Sequence, residues 1–481
     1  MLRWQARLDA STADRVVPWA AAFVLFVLYL VLALARTRSL AAGAPLAGYV
    51  QAAWLITEGQ DAQITVTGSH LLSQHAPVGF YPLAQLSRFL PTIATLLGAQ
   101  AAALALGVVP LWRLGRQVAR LRVGATLALA LAYGAYPALN NLNLADFHPE
   151  ALAIAPLLAA TCAGLQRRWQ SFVVWSVLAM IWSAELGLVV ASLGLLFVLE
   201  GRRREGAWTI VVGTGWVLAS ILFLDGRYGQ SGLVAAGAFD DYGTSAAGVL
   251  GTMVTNPFRV LGDLVDEANL EVVVGLLAPL LFLPVLAPRY LLPALPLQAL
   301  YLVAEVPIRG PEGAQFTVPA VVFCFVAATF ALARVGRRSI ERVLVDRRLL
   351  MAVVVASVGF FALEAESSPY REPWRWGRED VVDEARRAAA DVVADGAAVR
   401  ASPALLPVLA EREFLYELVA GEAPEARSAM ADRVDVVALD DRAAPDWSVV
   451  ERLAFAGTLE GEGFELLYRS QGISVYGRGG S

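Results

Sequence analysis

Long apolar runs separated by short arginine clusters fill about the first 365 residues, and this alternation limits the fold more than any single motif. The runs are almost uncharged and about 16–21 residues long, close to what a helix needs to cross a hydrocarbon layer about 30 Å thick. A helix this apolar on every side has no face to present to water. The clearest runs are residues 16–35, 92–112, 123–139, 150–165, 206–224, 270–286, 316–335 and 349–364. The pattern predicts an all-α polytopic membrane bundle.

The composition agrees with a membrane protein and excludes several other classes. Hydrophobic residues make up 57% of the chain and charged residues 17%, against about 45–50% and about 25% in soluble domains. The net charge of -5 comes without a basic stripe, which excludes nucleic acid as a partner. Cys162 and Cys324 both lie inside apolar runs, so a disulfide framework is not indicated.

Arginine placement predicts how the chain crosses the membrane, because arginine-rich loops stay cytoplasmic. The densest cluster lies within residues 334–348. All clusters share one side only if the chain turns near residues 183–185 and again around Pro288-Arg289. The sequence then predicts about eleven transmembrane helices in the plasma membrane of a prokaryote, with a cytoplasmic N-terminus and an external C-terminus.

The predicted domains are a transmembrane domain over residues 1–365, with external loops at 36–91 and 225–269, and a soluble α/β domain over 366–481. Within the first loop, residues 46–56 and 71–90 have helical spacing of apolar residues, which predicts helices along the membrane surface. In the soluble domain, helices are predicted at residues 380–394 and 447–456, and strands at 397–401, 435–439, 464–469 and 473–476.

The most distinctive motif is Asp146-Phe147-His148-Pro149-Glu150, in the predicted external turn between the third and fourth helices. Two carboxylates around an imidazole suit a general base or a divalent metal. The other reading is a helix start, since Pro149 and Glu150 fit the first turn and Asp146 can satisfy free N–H groups. The other two histidines, His70 and His75, fall on the same predicted external side.

Further candidates are charged residues at predicted membrane level. Glu185 lies between two apolar half-runs, where an ionisable group is costly and commonly functional, unless the turn reaches the surface. Arg88 and Arg309 suit a lipid phosphate, although arginines also anchor helices at the interface. Glu305 lies beside Arg309 in the same predicted loop.

The histidines allow a sharper prediction. We expect His70 or His75 to lie within about one side-chain length of the turn at residues 146–150, because the first loop must return to the membrane near Pro91. A shared pocket for a ligand would follow. A divalent metal there is the less favoured of the two readings, because metal ligands must converge more closely than sequence spacing shows.

The sequence resembles a family of predicted multi-pass membrane proteins, the domain of unknown function 2079 family. Agreement is best from residue 69 to about 199, and short strings in the tail, such as Ala404-Leu405-Leu406-Pro407, also fit. The main matching strings are His75-Ala76-Pro77, Pro110-Leu111-Trp112-Arg113, Tyr136-Pro137-Ala138-Leu139, Asp146-Phe147-His148-Pro149 and Glu185-Leu186-Gly187-Leu188.

That family is similar to the GT-C glycosyltransferases, which implies transfer of a sugar from a polyprenyl-phosphate donor on the outer membrane face. Together with the clustering of the histidines on the predicted external side, the resemblance favours Asp146 as base or metal ligand, with His148, Glu150 and His75 in a catalytic pocket. Arg88 or Arg309 would hold the donor phosphate, and Glu185 and Glu305 are further candidates for substrate binding. The chain departs from the family at Pro45 and Val50, where acidic residues usually precede the string Gln51-Ala52-Ala53-Trp54. The alternative is therefore a catalytically inactive scaffold or a transporter of lipid-linked intermediates.

Overall fold

The computed structural model describes residues 11–73, 75–228, 239, 241–243, 246–304, 311–338, 342–371, 377–418, 434–442 and 448–478. The chain forms two compact units. The first comprises Met1–Val31, Leu72–Phe80 and Gly98–Pro373. The second comprises Leu32–Leu71, Tyr81–Leu97 and Trp374–Ser481. The predicted domain division at residue 366 stays a prediction.

The described chain is largely helical. Its α-helices in chain order are α1 (Ser11–Arg38), α2 (Ala44–Thr57), α3 (Phe80–Ala84), α4 (Thr92–Leu106), α5 (Val108–Arg113), α6 (Val123–Gly134), α7 (Pro137–Leu144), α8 (Ile154–Leu165), α9 (Trp169–Met180), α10 (Leu186–Leu199), α11 (Arg203–Tyr228), α12 (Ala246–Thr255), α13 (Pro257–Leu264), α14 (Glu267–Leu277), α15 (Leu295–Val303), α16 (Val318–Val335), α17 (Arg347–Glu364), α18 (Val381–Asp391) and α19 (Val449–Gly461).

Four helical segments of the described chain are long and apolar enough to cross a membrane: Thr12–Arg38, Thr92–Val118, Arg203–Leu224 and Gly313–Val335. Shorter apolar helices span Pro149–Leu165, Trp169–Met180 and Leu186–Leu199. The predicted turn near residues 183–185 is confirmed, because α9 ends at Met180 and α10 begins at Leu186. The total of eleven membrane helices stays a prediction.

Proline and close packing divide several predicted runs. The run 123–139 breaks before Pro137, whose ring is accommodated at the first position of α7. The run 92–112 is interrupted at Gly107, where a Cβ would lie 2.1 Å from the Tyr133 hydroxyl. The glycine therefore lets Tyr133 pack against the helix and donate a hydrogen bond to the Leu104 carbonyl at 2.7 Å.

Two helix predictions were wrong in their extent. The run 270–286 does not form one helix, because 3₁₀ turns Ala278–Leu280 and Leu283–Leu286 follow α14. Pro279 and Pro284 lie in those turns, and Leu281 and Phe282, the two residues between the turns, have positive φ. The segment 71–90 is likewise divided into short helical pieces, which are the 3₁₀ helix Leu71–Ser73, α3 after Pro77, and the 3₁₀ helix Gln85–Arg88.

Helices α10 and α11 form the closest helix pair of the first unit. A Cβ on Gly194 would lie 2.6 Å from the Gly206 carbonyl oxygen, and a Cβ on Gly213 would lie 2.5 Å from the Ala191 nitrogen. Small residues thus allow the two backbones to touch, as is common between helices in membranes. This packing fixes α10, which begins immediately after Glu185.

The second unit contains a five-stranded mixed sheet, which confirms the predicted sheet in the C-terminal region. Its strands are β5 (Val399–Ala401), β6 (Leu415–Glu417), β7 (Val436–Asp440), β8 (Phe464–Ser470) and β9 (Ile473–Arg478), in the spatial order β6-β5-β7-β9-β8. Two-residue strands elsewhere form the hairpins β1 (Gln63–Ile64) with β2 (Ser69–His70) and β3 (Arg337–Arg338) with β4 (Val343–Leu344). Helix α19 packs its Phe455 and Leu459 into the core of the sheet.

A buried ion pair lies at the end of β7. Asp440 is completely buried, and its Oδ2 lies 2.6 Å from the Arg386 guanidinium of α18. Arg386 also contacts Asp383 at 3.2 Å. The Arg386–Asp440 pair therefore joins α18 to the sheet, and Asp383 supports the guanidinium from within the helix.

The first-loop helix α2 is present as predicted at residues 46–56, but it is buried, not exposed on a surface. Its Gln51 amide donates to the Thr65 hydroxyl at 2.7 Å and to the Glu413 carbonyl at 3.0 Å. Thr65 in turn donates to the Leu415 carbonyl of β6 at 2.7 Å. The glutamine of the Gln-Ala-x-Trp string thus has a structural role within the second unit.

Candidate functional site

Glu185 is the centre of a buried polar cluster in the first unit. It immediately precedes α10, where the helix dipole favours an anion, and its side chain is completely buried. One carboxylate oxygen lies 3.0 Å from the Nδ1 atom of His75. The other accepts a hydrogen bond from the Tyr301 hydroxyl of α15. A carboxylate removed from water is thereby given a cationic and a neutral partner.

The backbone around His75 is tied to the turn that carries Glu185. The His75 carbonyl accepts a hydrogen bond from the Ala184 N–H at 2.8 Å, and the Gly79 N–H donates to the Ile181 carbonyl at 2.9 Å. His75 itself has φ of +62°, a conformation that is uncommon for a non-glycine residue. The loop therefore holds the imidazole against Glu185 through its main chain as well as its side chain.

An aromatic side chain supports both partners of Glu185. The Phe316 ring is 6.4 Å from the His75 ring and 4.9 Å from the Tyr301 ring, in edge-to-face arrangements. Such ring pairs contribute stabilising free energy in addition to that of the apolar area they bury. The His75 side chain keeps about a fifth of its surface exposed (21%), whereas the Glu185 side chain keeps none. His75 is therefore the member of the cluster that a ligand can reach.

The amide side chain of Gln100 holds the main chain of the turn at residues 146–150. Gln100 of α4 donates to the Asp146 carbonyl at 2.7 Å and to the Leu142 carbonyl at 3.0 Å. Its own oxygen accepts the His148 N–H at 2.8 Å. Asp146 has φ of +63°, so the amide stabilises a left-handed backbone turn. Pro149 then begins the 3₁₀ helix Pro149–Ala153.

The two histidines of the site have opposite protonation preferences. Burial lowers the pKa of His75, but the charge and hydrogen bond of Glu185, together with the charge of Glu150, raise it to about 9. Burial lowers the pKa of His148 to about 4, and the charge of His75 contributes to that decrease. Near neutral pH, His75 is therefore a cation and His148 a neutral imidazole. Their mutual influence, and that of Glu150 on His75, means that these side chains share one electrostatic environment.

The structure groups some of the sequence-predicted site residues and separates others. His75, Asp146, His148, Glu150 and Glu185 all belong to the first unit. Arg88 belongs to the second unit, is exposed, and donates to the Thr57 carbonyl at 2.8 Å. His70 also belongs to the second unit, where it lies 3.1 Å from Asp61. Glu305 and Arg309 lie outside the described residues.

Three residues of the site were not predicted from the sequence. Tyr301 and Gln100 each lie inside an apolar run, where a phenol or an amide needs a hydrogen-bonding partner. That requirement is the signal that could have identified them. Phe316 carries no such signal, because an aromatic residue in an apolar helix is ordinary.

Within the described ranges, no three side chains of the His, Cys, Asp and Glu types lie close enough to hold a metal ion.

The fold and this site define a helical membrane protein with buried ionisable groups. The family described as "Predicted membrane protein (DUF2079)" matches residues 36–464. The chain belongs to this family. Comparison with curated proteins gives no match.

The structure is similar to that of ArnT from Cupriavidus metallidurans in the apo state, with a TM-score of 0.58 and 12% sequence identity. The match covers 97% of this chain and 98% of that one. ArnT is a GT-C glycosyltransferase, so the similarity to the GT-C fold that the family resemblance implies is confirmed.

Proposed function

We propose that this protein is a GT-C-like glycosyltransferase that moves a sugar from a polyprenyl-phosphate donor to an acceptor on the outer face of the membrane. The observation that carries the proposal is the ArnT-like fold over 97% of the chain. The buried cluster around Glu185 supports it, because ionisable residues within a membrane bundle are costly and commonly mark a functional site.

The reaction would form a bond between an acceptor oxygen and the sugar C1 atom, while the bond from C1 to the donor phosphate oxygen breaks. The acceptor proton passes to a base, and polyprenyl phosphate leaves with the bonding electrons. Such a step needs a proton acceptor beside the acceptor hydroxyl and positive charge beside the phosphate.

We assign Asp146 as the base and His75 as the cation that faces the departing phosphate. Glu185 is a positioning residue, since it holds the imidazolium through Nδ1. Glu150 supports the positive charge of His75, and His148 supplies a neutral imidazole in the same turn as Asp146. Arg88 and Arg309 remain the sequence-based candidates for phosphate binding, with Glu305 as the candidate partner of Arg309.

The test is incorporation of labelled sugar from polyprenyl-phosphate donors by the purified protein in lipid nanodiscs. Replacing Asp146 by Asn should lower turnover about 100-fold or more, as loss of a general base commonly does. Asp241→Asn is the matched control, because that carboxylate is exposed and paired only with exposed Arg259. Equal turnover by wild type and the Asp146 variant would remove Asp146 from the mechanism.

A non-catalytic scaffold or a transporter of lipid-linked intermediates is the second candidate. The observation that favours it is burial: Glu150, His148 and Glu185 all have less than a tenth of their surface exposed. A scaffold or transporter would bind or translocate labelled polyprenyl-phosphate sugar in proteoliposomes without releasing polyprenyl phosphate. Release of polyprenyl phosphate coupled to acceptor labelling favours the transferase.

We further propose the orientation that the arginine clusters predict, with a cytoplasmic N-terminus and an external C-terminus in a prokaryotic plasma membrane. A reporter fused after Arg338 should then be cytoplasmic, and one fused after Ser481 should be external. A cytoplasmic reporter at Ser481 would contradict the predicted number of membrane crossings.

A further inference from the structure

A cavity of about 500 Å³ lies in the first unit between the irregular segment after α14 and the C-terminal end of α16. Arg289 and Tyr290 line it from that segment, Phe330 and Arg334 line it from α16, and Arg338 of β3 completes the wall. None of these residues takes part in the proposed sugar transfer, so the cavity needs a separate explanation.

The cavity is strongly cationic. Three guanidinium groups line it, and none of its described lining residues is acidic. The acidic neighbour Glu200 lies 3.4 Å from Arg289 and offsets part of one charge. Arg334 donates to the Leu286 carbonyl at 2.9 Å, which fixes its direction across the cavity. The excess of positive charge selects an anionic ligand.

The inner wall of the cavity is rigid and aromatic. The Tyr290 ring is stacked on the Phe330 ring at 3.8 Å, with an angle of 8° between their planes. The Arg289 guanidinium lies over Tyr290, with its central carbon 4.7 Å from the ring centroid, and donates to the Tyr290 hydroxyl at 2.8 Å. Arg289 is thus held in place before any ligand arrives, which reduces the entropy lost on binding.

The segment that forms the cavity also exposes apolar side chains. Leu281, Phe282, Val285 and Leu286 each leave at least two fifths of their surface uncovered. Leu286 lines the cavity itself. A free inorganic anion would gain nothing from these side chains, whereas an amphipathic anion would place its chains on them.

We propose that this cavity binds the phosphate headgroup of an anionic phospholipid, with Arg289, Arg334 and Arg338 around the phosphate and the acyl chains against Val285 and Leu286. Guanidinium groups bind phosphate oxygens through paired, charge-assisted hydrogen bonds. Basic pockets between membrane helices are a recurrent form of lipid site. The binding is independent of the proposed sugar transfer, so either can fail without the other.

The test is native mass spectrometry of the purified full-length protein with dioleoyl phosphatidylglycerol or dioleoyl phosphatidylcholine. Wild type should retain phosphatidylglycerol at least about tenfold more tightly, since one or two charge-assisted hydrogen bonds amount to that difference. The double variant Arg289→Gln with Arg334→Gln should lose this preference. The control variant Arg203→Gln with Arg204→Gln, at exposed positions at the start of α11, should keep it.

Three results would overturn the proposal. They are equal retention of the two lipids by wild type, an unchanged preference in the Arg289 and Arg334 double variant, and displacement of phosphatidylglycerol by inorganic phosphate at equal concentration. The last result would assign the cavity to free phosphate.

If the double variant does not fold, the single variant Arg338→Gln at the exposed strand β3 replaces it, and a several-fold loss of preference is expected. Raising the salt from about 0.05 M to about 0.5 M should also weaken retention in wild type, because partly exposed charges are screened. If neither the Arg338→Gln substitution nor the higher salt reduced the retention of phosphatidylglycerol, that result would contradict a contact between the arginines and the phosphate.

Discussion

Glu185 in the first unit and Asp440 in the second are both completely buried carboxylates, but their cationic partners differ in kind. Asp440 is paired with Arg386, and a guanidinium keeps its charge at every physiological pH. Glu185 is paired with His75, whose charge depends on pH. The first arrangement suits a permanent structural link, whereas the second suits a site whose charge can change.

Removing Asp440 should give the largest effect on stability. In Asp440→Ala the largely buried Arg386 guanidinium loses its completely buried partner and keeps Asp383, which should cost about 3 kcal/mol of unfolding free energy. Thermal unfolding of the full-length protein, followed by intrinsic fluorescence, measures the loss. Glu379→Gln is the control, because its pair with Arg387 is largely exposed and should leave the melting temperature unchanged. An equal loss in both variants would contradict the structural role of the buried pair.

Replacing Glu185 should reduce the unfolding free energy less than replacing Asp440 does, because its partner His75 can release a proton. In Glu185→Gln, His75 loses the main cause of its raised pKa and becomes neutral, so no unpaired charge stays buried. We expect a loss of about 1–3 kcal/mol, measured by the same unfolding experiment. Tyr301→Phe removes one neutral donor and should cost about 1 kcal/mol. A larger loss in Glu185→Gln than in Asp440→Ala would reverse the comparison.

Stability should also depend on pH, gradually and by at most about 1.4 kcal/mol per pH unit for each titrating histidine. The pKa of His75 is raised to about 9, so its contribution is complete below about 6.5 and is lost as the pH rises through 9. The pKa of His148 is lowered to about 4, so stability falls as the pH decreases from about 6.5 through 4. The melting temperature should therefore be highest near pH 6.5 and fall by a few degrees on each side.

Two single variants distinguish the alkaline decrease of the melting temperature from the acid decrease. His75→Gln should flatten the alkaline decrease and leave the acid decrease, whereas His148→Gln should do the opposite. An alkaline decrease of unchanged size in His75→Gln would show that another group causes it.

The sequence predicted the helices of the bundle well where hydrophobicity alone decides them. The run 316–335 corresponds to α16 and the run 349–364 to α17, each within two residues. The prediction of helix extent was wrong where the backbone conformation decides it. An example is the pair of turns after Leu277, where two residues with positive φ lie between prolines. The prediction also missed β6, a strand of three residues at the edge of the sheet.

For the site, the sequence identified the ionisable residues but not their supports. Glu185 was recognised as a candidate because a charge between apolar runs needs an explanation, and His75 because all three histidines fall on the predicted external side. Their direct contact was not predicted, since they are 110 positions apart in the chain. Tyr301 was missed for the same reason: the sequence shows that its hydroxyl needs a partner, but the fold decides which one.

The Gln100 amide has a consequence for how this family can diverge. It holds the turn at residues 146–150 through main-chain atoms alone, by the Asp146 carbonyl and the His148 N–H. The contacts made by Gln100 therefore do not depend on the side chain of either residue, whereas the His148 imidazole makes its own hydrogen bond to the Ala145 main chain. Asn and Gly also tolerate the left-handed conformation found at Asp146. A substitution at position 146 that tolerates this conformation can thus keep the contacts that Gln100 makes to the main chain of the turn.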